Sequence, residues 1–248
     1  IRSLGDSVKL IRDSINNITD IILKLVLFII NVAPYGIFCL MSVLFAEKGL
    51  TVLGDLSFYF FVVVFALLLH GFLTYSLFLV LFVKVNPFKF FNKIKSLMLF
   101  AFSTSSSNAT IPVTLKTVVD DIGVSRKIAS FTVPLGATIN MDGTAIMQGV
   151  ATVFIANAYS IDLSFADYLM VILIATLASI GTAGVPGVGL IMLAMVLNQV
   201  GLPVEGIALI IGVDRLLDML RTVVNVTGDS TISTIVANSE NQLEQRNL

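Results

Sequence analysis

The sequence is short of most of what a soluble enzyme is built from. Charged residues make up 12% of its 248 positions, about half the share of an ordinary soluble domain. Cys39 is the single cysteine, so neither an internal disulfide nor a cysteine-ligated zinc cluster can form; as a small apolar residue it suits a membrane helix. There is no tryptophan and one histidine, His70. That histidine sits in an apolar run and reads as a helix-packing or interfacial residue. With no histidine near the polar, serine-rich stretches, a Ser/His/Asp hydrolase is excluded, and no metal motif is present: the chain does not read as an enzyme. A net charge of −1 gives no electrostatic footprint for nucleic acid. Finally, no Lys or Arg occurs between Ile128 and Asp214.

What is abundant is apolar surface. Hydrophobic residues are 56% of the chain and the mean hydropathy is +0.97. Long apolar runs cover Ile21–Leu44, Phe58–Val83, Ile128–Ala156, Tyr168–Val196 and Gly206–Leu220. At 1.5 Å per residue, each can cross or deeply enter a hydrocarbon core of about 30 Å. The expectation is an all-α integral membrane protein of several helices. The runs lie along the whole chain, so none is a cleaved signal peptide. The opening residues, "IRSLGDSVKLIRDS", read as the interior of a longer protein.

Basic residues orient the chain. Lys84, Lys89, Lys93 and Lys95 form one cluster, and Lys116, Arg126 and Lys127 another. Both should face the cytoplasm. The stretch between them, "LMLFAFSTSSSNATIPVTL", then begins and ends on one side. It is too short and too polar for two crossings, so it reads as a re-entrant hairpin. Non-helical backbone at that depth survives only where protein or water satisfies it, so its Ser-rich tip implies a cavity. The stretch 168–200 has the same layout around "SIGTAGVPGVG", whose glycines and Pro186 would break a helix interior. It has no basic residue at either end and should enter from outside. A helix follows each hairpin, carrying "INMDGT" (139–144) and "VNVTGD" (224–229). Opposed hairpins followed by related helices form an inverted repeat, a hallmark of secondary transporters.

The last helix carries the densest chemistry. At 100° per residue, Asp214, Asp218, Arg221, Thr222, Asn225 and Asp229 share an arc of about 100°. Met219, Leu220, Val223, Val224 and Val226 take the opposite side. Ionisable residues at bilayer depth face an interior or a water-filled path. Arg221 offers a planar fork for a carboxylate, Asp218 a partner for an ammonium, and Thr222 and Asn225 neutral hydrogen-bonding groups. An anion site beside a cation site fits an amino acid with an extra carboxylate. Asp142, the only charge between Ile128 and Ala156, and Asp229 each stand beside a glycine. A helix that unwinds at such a glycine frees carbonyls, and oxygen ligands with a nearby carboxylate suit a hard cation. Asp142 would then need no arginine neighbour, because its counter-ion is mobile.

The words "STSSSNATIPVT", "PLGATINMDGTA", "ASIGTAGVPGVG" and "DMLRTVVNVTGD" closely resemble the dicarboxylate/amino acid:cation symporter family, which includes the glutamate transporters. All four occur in order, and the resemblance runs along essentially the whole chain. It implies an elevator-type glutamate transporter fold: an inverted-repeat core with two re-entrant helical hairpins, here without the family's N-terminal helices. Residues 1–54 would belong to a trimerisation scaffold as its fifth helix, and 55–240 to the transport domain. The latter would comprise a helix (55–84), a cytoplasmic hairpin (88–118), a helix (126–157), an outer hairpin (165–200) and a helix (204–237), with 241–248 as a tail.

The resemblance places substrate contacts on Ser106, Thr144, Val185, Gly189, Asp218, Arg221, Thr222 and Asn225. It places one sodium site on Gly136, Asn140, Asn225 and Asp229. A second falls on carbonyls of Thr138, Ser179, Ile180 and Thr182. A third falls on Asn140 and Asp142, completed by a helix outside this chain. Thr104 stands where some prokaryotic relatives have arginine, and Gln148 where mammalian carriers have a proton-carrying glutamate. The implied protein is a sodium-coupled symporter of L-glutamate or L-aspartate, a homotrimer in the cell membrane (the inner membrane in a Gram-negative bacterium). Sodium is its coupling ion, and it needs no further cofactor. Proton-coupled uptake and C4-dicarboxylate or cystine carriage are the nearest alternatives; an anion channel is the remote one.

Overall fold

The structure is a computed structural model that describes residues 52–244 and scattered helical positions between 14 and 46. It divides into two compact units, Ile1–Gly49 and Leu50–Leu248. In the first, the described positions, among them Lys24, Tyr35, Phe38 and Cys39, are helical and exposed, and Ser42 Oγ donates to Phe38 O at 2.7 Å. The expected scaffold role of residues 1–54 otherwise lies outside the described residues.

The second unit opens with a long rod, α1. It runs α-helical over Val52–Leu68, π-helical over Leu69–Thr74, α-helical again over Tyr75–Phe78 and π-helical over Leu79–Val83. Its apolar span Gly54–Val83 covers 30 residues at a mean hydropathy of 2.3. Among the described residues, this is the one unbroken helix long and apolar enough to cross a membrane. Of the other expected crossings, the helix 126–157 is interrupted at Asn140–Met141 and the helix 204–237 carries charge, while the run Ile21–Leu44 lies largely outside the described residues.

Lys84, in the left-handed region at φ 61°, ends α1. Asn86 caps the next helix, accepting from Phe88 N at 2.9 Å, with Pro87 at the first position where no N–H is needed. Helix α2 (Pro87–Thr104) reverses at Ser105 (φ 51°), and Ser106 caps α3 (Ser107–Lys116), its hydroxyl accepting from Ala109 N at 3.2 Å. A π-helical turn, Thr117–Ile122, extends α3. Helix α4 (Arg126–Ile139) stops two residues before α5 (Asp142–Ala158) starts. Helix α6 (Phe165–Ile180) begins with a Ser164–Asp167 capping box and α7 (Val188–Gln199) follows a tip that ends in Gly187 at φ 79°. A short 3-10 turn, Val204–Gly206, leads into α8 (Ile207–Ser239).

Helix α8 is the axis, packed against α1, α2, α4 and α5. Phe90, Ile94, Leu97, Ala101, Val118, Ile122, Ala129 and Val133 form a buried apolar cluster between the first hairpin and α4. The interior along α8 is polar instead. Thr227, Asp229, Ser230, Thr231, Ser233 and Thr234 are all buried. Most of its hydroxyls donate to the carbonyl four residues back, as Thr227 does to Val223 O (2.7 Å) and Thr234 to Ser230 O (2.7 Å), so burial leaves them satisfied. Outside, Phe58, Phe61, Phe65, Leu73 and Phe82 on α1, and Ile172 and Leu177 on α6, stand exposed. A polar interior under a broad apolar exterior is the distribution a lipid environment requires.

The described part of the expected tail is not free. Leu243 bridges Val124, Ser125 N donates to Gln242 O (3.0 Å) and Glu244 N to Gly123 O (2.9 Å). This strap ties the end of α8 to the loop between α3 and α4.

Candidate functional site

The word "INMDGT" lies at the α4–α5 break. Asn140 and Met141 are non-helical, and α5 begins at Asp142. The break is not at Gly143, and α8 does not unwind at Gly228: it is helical from Ile207 to Ser239. The expectation of a second unwound segment at "VNVTGD" is therefore corrected. The glycines serve close approach instead. A Cβ on Gly143 would come to 2.9 Å from Arg221 O and from Asn225 Oδ1, and one on Gly136 would collide with the Asp229 carboxylate. Bare backbone at both positions lets the α4–α5 break sit against α8.

Two carboxylates result from that approach. Asn140 Nδ2 donates to Asp229 Oδ1 (3.0 Å) and to Asn225 O (3.1 Å). Gly136, Asn140, Asn225 and Asp229, which the family resemblance groups together, thus lie in one cluster. Asp142 lies one turn of contacts away. Its Oδ1 accepts from Gly143 N (3.0 Å), and Gly143 N is shared with Asn225 Oδ1 (2.8 Å). Its Oδ2 meets His70 Nε2 at 2.7 Å and accepts the Tyr75 hydroxyl. His70 is therefore not simply a packing residue. No sequence pattern pointed to its partner 72 positions away, nor to Tyr75.

The polar stripe of α8 faces inward as a unit: Asp214, Asp218, Arg221, Thr222, Asn225 and Asp229 are all buried. Arg221, 1% exposed, is held by both neighbouring acids, with Nη2 at 2.9 Å from Asp218 Oδ1 and 3.1 Å from Asp214 Oδ1. Its Nε and Nη1 have no hydrogen-bond partner. Both acids engage one nitrogen, and the rest of the fork is left open. A narrow cleft of about 10 Å³, closed down to room for about one water, adjoins it, lined by Ser105, Met141, Thr144, Thr182, Val185, Gly189, Asp218, Arg221, Thr222 and Asn225. Gly189 matters through what it lacks, since a Cβ there would lie 3.2 Å from Arg221 Nη1. Gln148, buried against this side, leaves Oε1 unpartnered and places Nε2 3.5 Å from Gly189 O.

The two hairpin tips meet over the cleft. Ser106 Oγ donates to Gly184 O at 2.6 Å, and Asn108 N donates to the same oxygen at 3.1 Å. From the other tip, Gly187 N donates to Asp218 Oδ2 at 3.0 Å. Of the expected substrate contacts, Thr144, Val185, Gly189, Asp218, Arg221, Thr222 and Asn225 line the cleft, and Ser106 is spent on joining the tips. The second expected ion set lies at two helix ends. Thr138, at the end of α4, is exposed and turns its hydroxyl onto Leu135 O (2.8 Å). Ser179 O accepts from Thr182 N (3.3 Å), Thr182 Oγ1 donates to Ala178 O (2.7 Å), and Ile180 is exposed. What these residues share is position at the carbonyl ends of α4 and α6, where backbone oxygens lack helical partners.

Residues 1–239 match the family model described as the sodium:dicarboxylate symporter family. The chain is 41% identical over 229 residues to excitatory amino acid transporter 2 of Homo sapiens, covering 92% of this chain and 40% of the relative. To excitatory amino acid transporter 1 of Rattus norvegicus it is 38% identical over 251 residues, covering 100% of this chain and 46% of the relative. An excitatory amino acid transporter of Caenorhabditis elegans is 41% identical over 218 residues, with 87% and 43% covered. The chain thus spans less than half the length of these curated relatives. It belongs to the sodium:dicarboxylate symporter family.

Proposed function

We propose that this chain forms the substrate- and ion-carrying part of a secondary symporter that takes up acidic amino acids, L-glutamate or L-aspartate, together with sodium. The observation that carries this is the half-used guanidinium of Arg221. A buried Arg with two unpartnered nitrogen groups is costly unless a ligand completes it, and a planar carboxylate fits that fork. Asp218, on the same cleft, pairs with the substrate ammonium once Gly187 N releases Oδ2. A C4-dicarboxylate has no ammonium to offer there. The relatives' names, excitatory amino acid transporters, support the same substrate class.

Sodium binds in this reading at Asp229 with Gly136, Asn140 and Asn225, and at the helix ends that carry Thr138, Ser179, Ile180 and Thr182. A third ion binds at Asp142 with Asn140. The neutral Gln148 near the cleft disfavours a proton carried at that position. The hairpins α2–α3 and α6–α7 are re-entrant, and their touching tips gate the cleft. Residues 55–240 move as an elevator against a trimeric scaffold that includes 1–54, within the cell membrane. Paired hairpin gates over a closed cleft support a carrier rather than an anion channel.

The test is uptake of radiolabelled aspartate into proteoliposomes, with sodium and proton gradients imposed separately. Accumulation driven by sodium at fixed pH is expected. Equal uptake with choline in place of sodium would overturn sodium coupling, and single-channel currents without stoichiometric flux would overturn the carrier assignment.

A further inference from the structure

The π-helical turn Leu69–Thr74 interrupts α1 where the helix passes Asp142. On a regular α-helix, residues five apart are 500° apart in rotation, so His70 and Tyr75 would diverge by about 140°. Hydrogen bonding from i to i+5 widens the turn and brings residue i+5 back over residue i. The two rings do converge: their centroids lie 5.0 Å apart, edge to face. Both then end on one atom, Asp142 Oδ2.

An ionised carboxylate offers about four lone-pair sites. Here His70 and Tyr75 occupy Oδ2, and Gly143 N occupies one site of Oδ1. The remaining acceptor capacity is on Oδ1, the oxygen at the Asn140–Gly143 break. Asp142 is also the first residue of α5, whose unpaired amides attract a carboxylate. Without a second anchor, both oxygens could turn onto those amides and be lost to a cation. The route to Asp142 is kept open by Gly228. A Cβ there would collide with both Tyr75 Oη and Asn140 Nδ2, so the glycine of "VNVTGD" is where the phenol passes α8.

We propose that the π-turn Leu69–Thr74 delivers His70 and Tyr75 as positioning residues that hold Asp142 Oδ2 and so present Oδ1 to a coupling cation. This rests on the assignment of a cation to Asp142 made above. Neither residue touches the ion; each acts through the carboxylate, as outer-shell partners of metal ligands do.

The experiment uses the full protein chain, purified, with sodium titrated in the absence of substrate and binding read as the rise in Tm. Sodium half-saturation of aspartate uptake is measured in parallel. Tyr75→Phe removes one oxygen and keeps the ring; it should raise the half-saturating sodium concentration about 10-fold or more. His70→Ala should do the same, and His70→Gln, which keeps an amide donor, should stay within about threefold of the parent. Aspartate half-saturation at saturating sodium should change by less than about threefold. If Asp142→Asn weakens sodium binding while Tyr75→Phe and His70→Ala do not, the positioning role is wrong. If Asp142→Asn leaves the sodium titration unchanged, the cation assignment itself fails and the positioning role with it. Should His70→Ala not fold, Tyr75→Phe decides alone.

Discussion

Replacing Arg221 by cysteine removes the one guanidinium in the cleft. Its Nη2 donates to Asp218 and lies in ion-pair range of Asp214, while Nε and Nη1 are open. A substrate carboxylate docked on the open edge makes two charge-assisted bonds, each worth about 1.5–3 kcal/mol. Their joint loss is roughly 3–6 kcal/mol, and at about 1.4 kcal/mol per tenfold this raises the half-saturating aspartate concentration by roughly 10² to 10⁴. The same change strands two buried carboxylates, and removing one partner of a buried pair costs about 3–5 kcal/mol of stability. Tm is therefore measured beside transport, and Arg221→Lys is included. Lysine returns the charge without the planar fork, so it should recover stability and only part of the affinity. The assay is proteoliposome uptake of labelled aspartate, with alanine and serine as competitors. Aspartate uptake should be lost, and the cysteine variant should admit neutral amino acids. A folded Arg221→Cys protein whose aspartate half-saturation stays within threefold of the parent would refute the assignment of Arg221 to the substrate.

Further outcomes follow from the same geometry. Asp229→Asn keeps the shape but removes the charge facing Asn140 (3.0 Å); sodium dependence of uptake should weaken, and uptake with an unaltered sodium titration would exclude Asp229 as a ligand. Gly136→Ala drives a methyl into the Asp229 carboxylate, so the half-saturating sodium concentration should rise about 10-fold while competition among acidic amino acids at saturating sodium is unchanged. Ser106→Ala removes the 2.6 Å bond between the tips, worth about 1 kcal/mol. Hydrogen exchange at Asn108 N, which donates to Gly184 O, should then speed up about fivefold; an unchanged rate would mean that the serine does not hold the tips together.

The parts of the site that were legible in the sequence are those set by local rules. The stripe on α8 follows from a 100° rotation per residue, and all six of its polar members are buried. The Ser-rich and Gly-rich interruptions are places where a helix cannot continue, and the structure ends α2 at Thr104 and α6 at Ile180. The contacts that were not legible depend on distant pairing. His70 meets Asp142 across 72 positions, and only a π-turn, which no periodicity in "LHGFLT" announces, sets Tyr75 beside it. "INMDGT" and "VNVTGD" look alike yet behave differently. The first breaks between Ile139 and Asp142, and the second stays helical because α8 keeps its ladder and uses Gly228 for clearance. A repeated word fixed which residues meet, not what the backbone does there.

Charge balance supplies a physical reason for the proposed dependence on ions. Counting aspartates and arginines, the polar interior holds Asp142, Asp214, Asp218 and Asp229 against Arg221, a formal excess of three negative charges. An acidic amino acid adds one more. In a low-dielectric surround, such an excess is not tolerated without counter-charge. No lysine or further arginine occurs on α4–α7 after Lys127 to supply it, Arg215 on α8 is exposed outside the interior, and Arg221 is already shared by two acids. Mobile cations at Asp229 and Asp142 would supply the missing charge. Substrate and sodium would then bind more tightly together than either does alone, because each removes part of the repulsion that opposes the other. The coupling is reciprocal, so raising sodium should lower the aspartate half-saturation by the same factor by which aspartate lowers the sodium dissociation constant. Two equilibrium titrations on one protein preparation measure both factors. Equal factors well above one are expected; factors of one would mean that the interior charges are balanced by some other means.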